Sequence, residues 1–295
     1  MNRWTVSPIY KAANSKPVFE VMFLDVRAGW EQYVLLTGDR HHDNKYSLNS
    51  LEKKHLDLAA ERNAPIIDIG DLFCAMQGRN DRRQSRDELR AELAEADNYF
   101  DLLLDSAESF YTPYAHLFAV MGTGNHETAV RRNVGLDLTY NIAKRLRRSS
   151  GNLWPLHGGY GGYTVFKFDT GKMFRKRLRY FHGAGGSAPV TKGVIHTNRR
   201  AVMWPDADII AAGHTHEAFV LPITQERISE RGVIRQMIQW HIQVPSYKDE
   251  YGNSSEWATE RGSGPKPLGC AWLHFSYNSS NDNRGIDVRA ELDII

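Results

Sequence analysis

The stretch LLTGDRHHDN, residues 35–44, sets an apolar, strand-like run directly against Asp39, Arg40, His41, His42 and Asp43. Taken alone it is either an ordinary polar turn or the start of a metal site. The rest of the chain decides between them. Three further apolar runs end the same way: IIDIG (66–70) in Asp71, FAVMGTG (118–124) in Asn125-His126-Glu127, and IIAAG (209–213) in His214-Thr215-His216. A fifth, LRYF (178–181), runs into His182 and Gly183. In open α/β sheets, ligands bind beyond the carboxyl ends of the strands, where each of these clusters would sit. The glycine beside each one lets the backbone turn sharply.

Working outward, helical and strand-like patterns alternate. SLEKKHLDLAAERN (50–63) carries Leu51, His55, Leu56 and Ala59 at helical spacing. Ser85 and Glu88 form a capping-box pattern that opens a predicted helix running through Leu89, Leu93, Tyr99, Leu103 and Phe110. Val134, Leu138, Ile142 and Leu146 predict another helix, closed near Gly151. Residues 188–204 read as helical, and GYTVFKF (162–168) as a strand. Residues 1–30 read as an irregular lead-in with one strand, VFEVMFLDV. Beyond residue 217 the pattern is mostly β, interrupted by a polar Gly/Ser/Pro loop at 249–267. Strands alternating with helices predict an α/β layered fold, and the β-rich tail suggests a second sheet packed on the first. We read residues 1–295 as a single domain, with the core motifs at 32–217 and a C-terminal β-rich portion at 218–295.

The bulk composition agrees. With 295 residues, 41% hydrophobic and 24% charged, the chain has ordinary globular composition and enough length for a large core. A net charge of +2 does not mark a strongly basic nucleic-acid binder, though it leaves room for a local basic groove. Two cysteines, Cys74 and Cys270, make no disulfide framework. The first residues, MNRWTVSPIY, lack the apolar core of a secretory signal, and no run approaches a bilayer span, so a soluble cytoplasmic protein is expected, with no membrane.

The chemistry of the clusters is oxygen and imidazole, without thiolate. That donor set suits divalent ions such as Mn, Fe or Zn. Seven side chains, Asp39, His41, Asp71, Asn125, His182, His214 and His216, with a water, would suffice for two ions. Any one cluster has a bland reading: Asp-x-His is usually a turn, and His182 beside a glycine is more often a core or loop histidine. Their joint occurrence at five strand ends outweighs those readings.

At this point the sequence resembles the calcineurin-like metallophosphoesterase superfamily. Its ordered blocks stand here as DRH (39–41), GD (70–71), GNHE (124–127), His182 and GHTH (213–216). The resemblance implies a two-sheet β-sandwich flanked by helices in four α/β/β/α layers, with a dinuclear centre. Asp39, His41 and His216 would hold one ion; Asn125, His182 and His214 would hold the other; Asp71 would bridge. His126 would bind no metal but face the phosphate and stabilise or protonate the leaving oxygen. Spacing favours His41 over His42 as the ligand. The Gly-Asp-x-x-Asp-Arg-Gly form of the protein Ser/Thr phosphatases is absent, and Cys74 stands in that block. GDLF (70–73) is similar to a block in the superfamily's double-strand-break-repair nucleases.

The implied reaction is in-line attack on phosphorus by a water whose pKa two cations have lowered. Manganese heads the candidate metals, with iron or zinc as alternatives. The substrate class read first is a phosphodiester in a nucleic acid or nucleotide. A phosphomonoester comes next, and a non-catalytic binding module that kept the fold is the rival from another class. Glu127 orients His126 or caps the following helix, the second being preferred. Arg40 contacts phosphate or is a solvated strand end. Basic clusters at 79–86, 131–132, 144–148, 175–179 and 198–200 form a phosphate-tracking rim or plain solvated surface. Tyr247, Tyr251 and Trp257 could stack a base.

Overall fold

The computed structural model describes residues 4–11, 16–75, 86–186, 188, 190–251, 264–280 and 285–295. Its first sheet is built on the run that ends at Asp39. That run is β3 (Glu31–Thr37), whose last four residues are buried, as expected of a central strand covered on both faces. β3 lies parallel to β4 (Ile66–Asp68), β4 to β5 (Phe118–Gly122), and β5 to β6 (Leu156–Gly159). On its other side β3 pairs antiparallel with β12 (Gly269–Asn278), and β12 with β13 (Gly285–Ile294), giving the order β13-β12-β3-β4-β5-β6.

The second sheet contains seven strands: β1 (Trp4–Pro8), β2 (Val18–Phe23), β7 (Gly161–Asp169), β8 (Met173–Phe181), β9 (Ile209–Ala212), β11 (Ile234–Gln243) and β10 (Phe219–Ile228), in that spatial order. The sheets meet through an aromatic cluster. Phe23 stacks on Phe166 and Phe168 of the second sheet, and Phe275 of the first packs against all three. Burying each such ring stabilises the sandwich by roughly 1.5–3 kcal/mol.

Helices α1 (Asn49–Glu61), α3 (Tyr99–Tyr111) and α5 (Leu138–Ser150) belong to the first sheet's outer layer: α1 lies on β3 and β12, α5 on β5 and β6, and α3 packs on α5. α1 turns Leu51, His55, Leu56 and Ala59 inward, matching the predicted stripe. The second sheet's outer face meets α6 (Ile195–Met203) where Trp204, just beyond the helix, covers the guanidinium of Arg179. The mixed α/β, two-sheet architecture is therefore the one expected.

Several local expectations are corrected. The lead-in is not irregular with one strand: β1 and β2 form an antiparallel pair, with Trp4 and Val6 facing inward. The β-rich tail does not make a sheet of its own. β10 and β11 extend the second sheet, whereas β12 and β13 complete the first. The helix predicted through residues 85–110 is broken into a 3-10 turn (Arg86–Glu88), α2 (Ala91–Ala94) and α3. Leu89 is drawn into a bridge with Asn44, and the Arg90 N–H donates to the Asp43 carbonyl at 3.0 Å, so tertiary pairing overrides the helical pattern. Ser85 lies outside the described residues. Val134 ends α4 (Asn125–Val134) rather than starting α5; Gly135 follows, and Asp137 caps α5 by accepting from the Tyr140 N–H. The helix predicted over 188–204 is shorter, α6 alone.

Candidate metal centre

The loops after β3 and β4 are joined backbone to backbone. Asp39 N–H donates to Gly70 O at 2.9 Å, Arg40 N–H to Asp71 O at 2.9 Å, and His42 N–H to Leu72 O at 2.8 Å. The two sheets are tied at the same place: His214 N–H, after β9, donates to Asp39 Oδ2 at 2.7 Å, and Gly213 N–H to His182 O at 2.8 Å. Asp39, His41, Asp71, His214 and His216 all hold positive φ, between 47° and 73°. Aspartate and histidine tolerate this region better than most residues, but it still costs of order 1 kcal/mol each and clusters at functional sites.

Two glycines let the loops close. A β carbon on Gly124 would lie 1.9 Å from Asp71 Oδ1, and one on Gly213 would lie 2.4 Å from Asp39 Oδ2. The glycines of GNHE and GHTH are thus the two surfaces against which the aspartates rest.

The donor atoms converge in two groups, Asp39–His41–His216 and Asp71–His182–His214, each with its ligand atoms within 4.8 Å of one another. In the first, His41 Nε2 and His216 Nε2 are 3.3 Å apart, and His216 Nε2 is 3.5 Å from Asp39 Oδ1. In the second, His182 Nε2 is 3.1 Å from both Asp71 Oδ2 and Asn125 Oδ1. Two ligands ~2.1 Å from one ion at a tetrahedral angle lie ~3.4 Å apart, so these separations suit a shared cation. Asp39 Oδ1 is buried and accepts no hydrogen bond among the described residues. The residues present therefore fit divalent metal.

The second nitrogens of the histidines are held. His216 Nδ1 faces the Glu250 carboxylate at 3.1 Å, His182 Nδ1 the Ile69 carbonyl at 3.1 Å, and His41 Nδ1 the Cys74 sulfur at 3.2 Å. Such partners fix the ring and aim the other nitrogen into the pocket. Electrostatics divide the imidazoles. Burial holds His41 well below the usual histidine range and lowers His214 as well. Burial also opposes charge on His182 and His216, but Asp71 raises the first to about 9, and Glu250 with Asp39 raises the second to about 10. Asp71 is held low despite its burial by His182 and His126.

His126 differs from the others. Its N–H donates to Asp71 Oδ1 at 2.9 Å, its Nδ1 lies 2.7 Å from the Cys74 carbonyl, and its Nε2 is 3.8 Å from Asp71 Oδ2. A carbonyl only accepts, so Nδ1 carries a proton. The side chain keeps 15% exposure, unlike the buried His41 and His182.

All eight residues singled out in the sequence therefore lie around one pocket. The neighbours divide differently. His42 points away, against Ser106, Phe110 and Tyr111, where burial depresses it to about 3. Arg40 is not a solvated strand end. It is fully buried, paired with Asp68 and Glu52 and packed over the rings of Tyr111 and Phe118. Glu127 caps α4 through Gly124 N–H at 2.8 Å and also accepts from Phe73 N–H at 2.9 Å, which holds the loop carrying Asp71. Burial and the nearby Asp71 raise its carboxyl to about 8.

Much of the expected basic rim is structural. Arg145 pairs with Asp105 and Glu108, Arg147 bonds the Pro155 carbonyl, and Arg179 is buried in β8, an interior strand rather than an exposed edge. Tyr247 is core, not a base platform: its hydroxyl meets His55 and its N–H donates to Asp39 O. Trp257 and Arg79–Ser85 lie outside the described residues. Sequence reasoning missed Glu250, read as polar loop, and Asp43, which accepts from Cys74 N–H, Ala75 N–H and the Tyr99 hydroxyl. No local signal marks Glu250, and Asp43, though visible in the opening cluster, shows its partners only in the fold.

No family model matches the chain, and no curated protein is detectably similar to it. Among solved structures, three similar folds illustrate the likeness. A conserved uncharacterized protein of Streptococcus pneumoniae TIGR4, a predicted phosphoesterase, gives a TM-score of 0.33 at 10% identity, covering 91% of this chain and all 100% of that one. Zinc-complexed wild-type Vps29 of Entamoeba histolytica gives 0.34 at 11%, covering 88% and 99%. GAP50, the anchor in the inner membrane complex of Plasmodium, gives 0.42 at 10%, covering 88% and 84%. Likenesses at these scores assign no activity. The chain's resemblance to the calcineurin-like metallophosphoesterase superfamily stands instead on its five ordered blocks, each placed at a strand end around a single pocket.

Proposed function

We propose that the chain is a divalent-metal-dependent phosphoester hydrolase. The observation that carries this reading is the convergence of two donor groups, each of carboxylate and imidazole, with His126 beside them. Asp39, His41 and His216 would hold one ion, Asn125, His182 and His214 the other, with Asp71 between them. Cations bound there lower the pKa of water toward neutrality and neutralise non-bridging phosphoryl oxygens. Manganese is our first choice of ion; the same donors accept iron or zinc. His126, doubly protonated, would pass its Nε2 proton to the leaving oxygen and keep the one Nδ1 donates to the Cys74 carbonyl. Glu127 and Asp43 hold the loop that presents Asp71 and Cys74.

The finer proposal is a phosphodiester substrate, in a nucleic acid or nucleotide. Arg40, the arginine next to the ligands, is committed to Asp68 and Glu52, and imidazoles line the described pocket. A singly charged diester requires less cationic compensation than a phosphomonoester dianion. We also propose that residues 1–295 form one domain, since β12 from the C-terminal portion pairs directly with β3. Among the described residues no helix is long and apolar enough to cross a membrane.

The test is metal-stripped protein reloaded with manganese and given bis- and mono-nitrophenyl phosphate and single- and double-stranded DNA. Manganese-restored hydrolysis favouring the diester is expected. Preference for the monoester would overturn the substrate class. Tight metal binding without hydrolysis of any substrate would replace the enzyme with a binding module.

A further inference from the structure

A second cluster lies on β12 and β13, away from the pocket. Cys270 and Asp293 are direct cross-strand partners there. His55 reaches them from the inward face of α1, its Nε2 lying 3.5 Å from Asp293 Oδ1. The three donor atoms are within 4.8 Å of one another. His55 Nδ1 is fixed by the Tyr247 hydroxyl at 2.9 Å, whereas Nε2 has no hydrogen-bond partner among the described residues, although the residue is 0% exposed. Asp293 Oδ1, at the edge of hydrogen-bond reach, is its acidic neighbour on that side. One nitrogen tied by a hydrogen bond and the other set beside a carboxylate, with a thiol in the same cluster, is the arrangement of a metal-ligating histidine. Nitrogen, sulfur and oxygen donors together select zinc, with a fourth position left for water. The Asp293 side chain, 33% exposed, gives that position a route to solvent.

We propose that His55, Cys270 and Asp293 form a mononuclear zinc site that clips α1 to the β12–β13 pair. Binding replaces the Cys270 thiol proton with zinc, and the proton leaves to solvent. Burial and the adjacent Asp293 push the Cys270 thiol up, so its proton is lost on zinc binding and not before it. Tyr247 connects the clip to the pocket, since its hydroxyl holds His55 while its N–H donates to Asp39 O at 3.1 Å. The site does not depend on the phosphoesterase reading, whose donors contain no cysteine.

Cobalt(II) titration of the metal-free full chain tests it, because a coordinated thiolate gives a near-ultraviolet charge-transfer band that imidazole and carboxylate do not. The band is expected in the native chain, in Asp71→Asn and in Cys74→Ser, and lost in Cys270→Ser with one fewer zinc bound per chain. Asp293→Asn, a change at a partly exposed strand position that folding should tolerate, is expected to weaken cobalt affinity at the band at least tenfold. No band in the native chain, or a band surviving in Cys270→Ser, overturns the site. A band lost in Cys74→Ser instead would place the thiolate in the main pocket and overturn it equally.

Discussion

Gly124→Ala separates packing at the pocket from every other effect of the glycine. Gly124 has φ −98° and ψ −171°, which alanine adopts without strain, so the substitution adds a methyl group and nothing else. That methyl would sit 1.9 Å from Asp71 Oδ1 and 2.5 Å from Asp71 N. Ordinary contact is roughly 3.5 Å, so the carboxylate must retreat by about 1.5 Å. Asp71 is buried and its Oδ1 already accepts from His126 N–H, so the retreat displaces both groups. Misplacement by 1 Å costs about a hundredfold in rate, and overpacking about 1–3 kcal/mol in stability. We expect turnover to fall at least about a hundredfold, with weaker manganese retention and melting lowered by only several degrees. The control is Gly135→Ala: φ is +76° with nothing within 4 Å, so alanine there costs about 1 kcal/mol of backbone strain and leaves activity alone. Manganese content and bis-nitrophenyl phosphate turnover are the assays. A Gly124→Ala protein that matches the native chain in both would refute the placement of Asp71 in the reacting centre.

His126→Ala should retain bound metal and lose about 10²–10⁴ of kcat, the range for a general acid; metal analysis of the variant showing fewer ions would make it a ligand instead. Metal loading should release protons, because His182 near 9 and His216 near 10 are cationic in the metal-free protein at pH 7 while ligands must be neutral. Apparent affinity for each ion should rise by about 10-fold per pH unit up to pH 9, one proton leaving per ion and two for the loaded pair, as calorimetry in buffers of different ionisation enthalpy reports. The same raised values mean these two groups stabilise the metal-free fold fully below pH 6.5 and lose that contribution as pH rises through about 9 to 10. Arg40→Met should cost about 3–5 kcal/mol in denaturant unfolding by stranding Asp68 and Glu52; a raised KM at unchanged stability would return Arg40 to the substrate.

The donor-bearing blocks were legible because each is a local device: an apolar run, a glycine and one to three donors, with strand geometry doing the rest. Asp39, Asp71, Asn125 and His214 could be placed at strand ends without knowing which strands pair. What stayed hidden depends on partners far along the chain. Arg40 reads as surface until Asp68 and Glu52 are brought beside it. Spacing favours His41 over His42, and the backbone, at φ 47° for His41, supplies the physical reason by turning one ring to the pocket and the other to Phe110. Glu250 sits in a stretch with no pattern, and only folding sets it against His216. The tail's division between two sheets is likewise a matter of pairing, not of strand propensity, since β10, β11, β12 and β13 look alike as sequence.

The most direct measurement is anomalous diffraction at the manganese edge from a crystal equilibrated with manganese. Two peaks within the pocket are predicted, one against Asp39, His41 and His216, the other against Asn125, His182 and His214, with Asp71 touching both. No anomalous signal in the pocket at saturating manganese, or peaks only elsewhere on the molecule, would contradict the account.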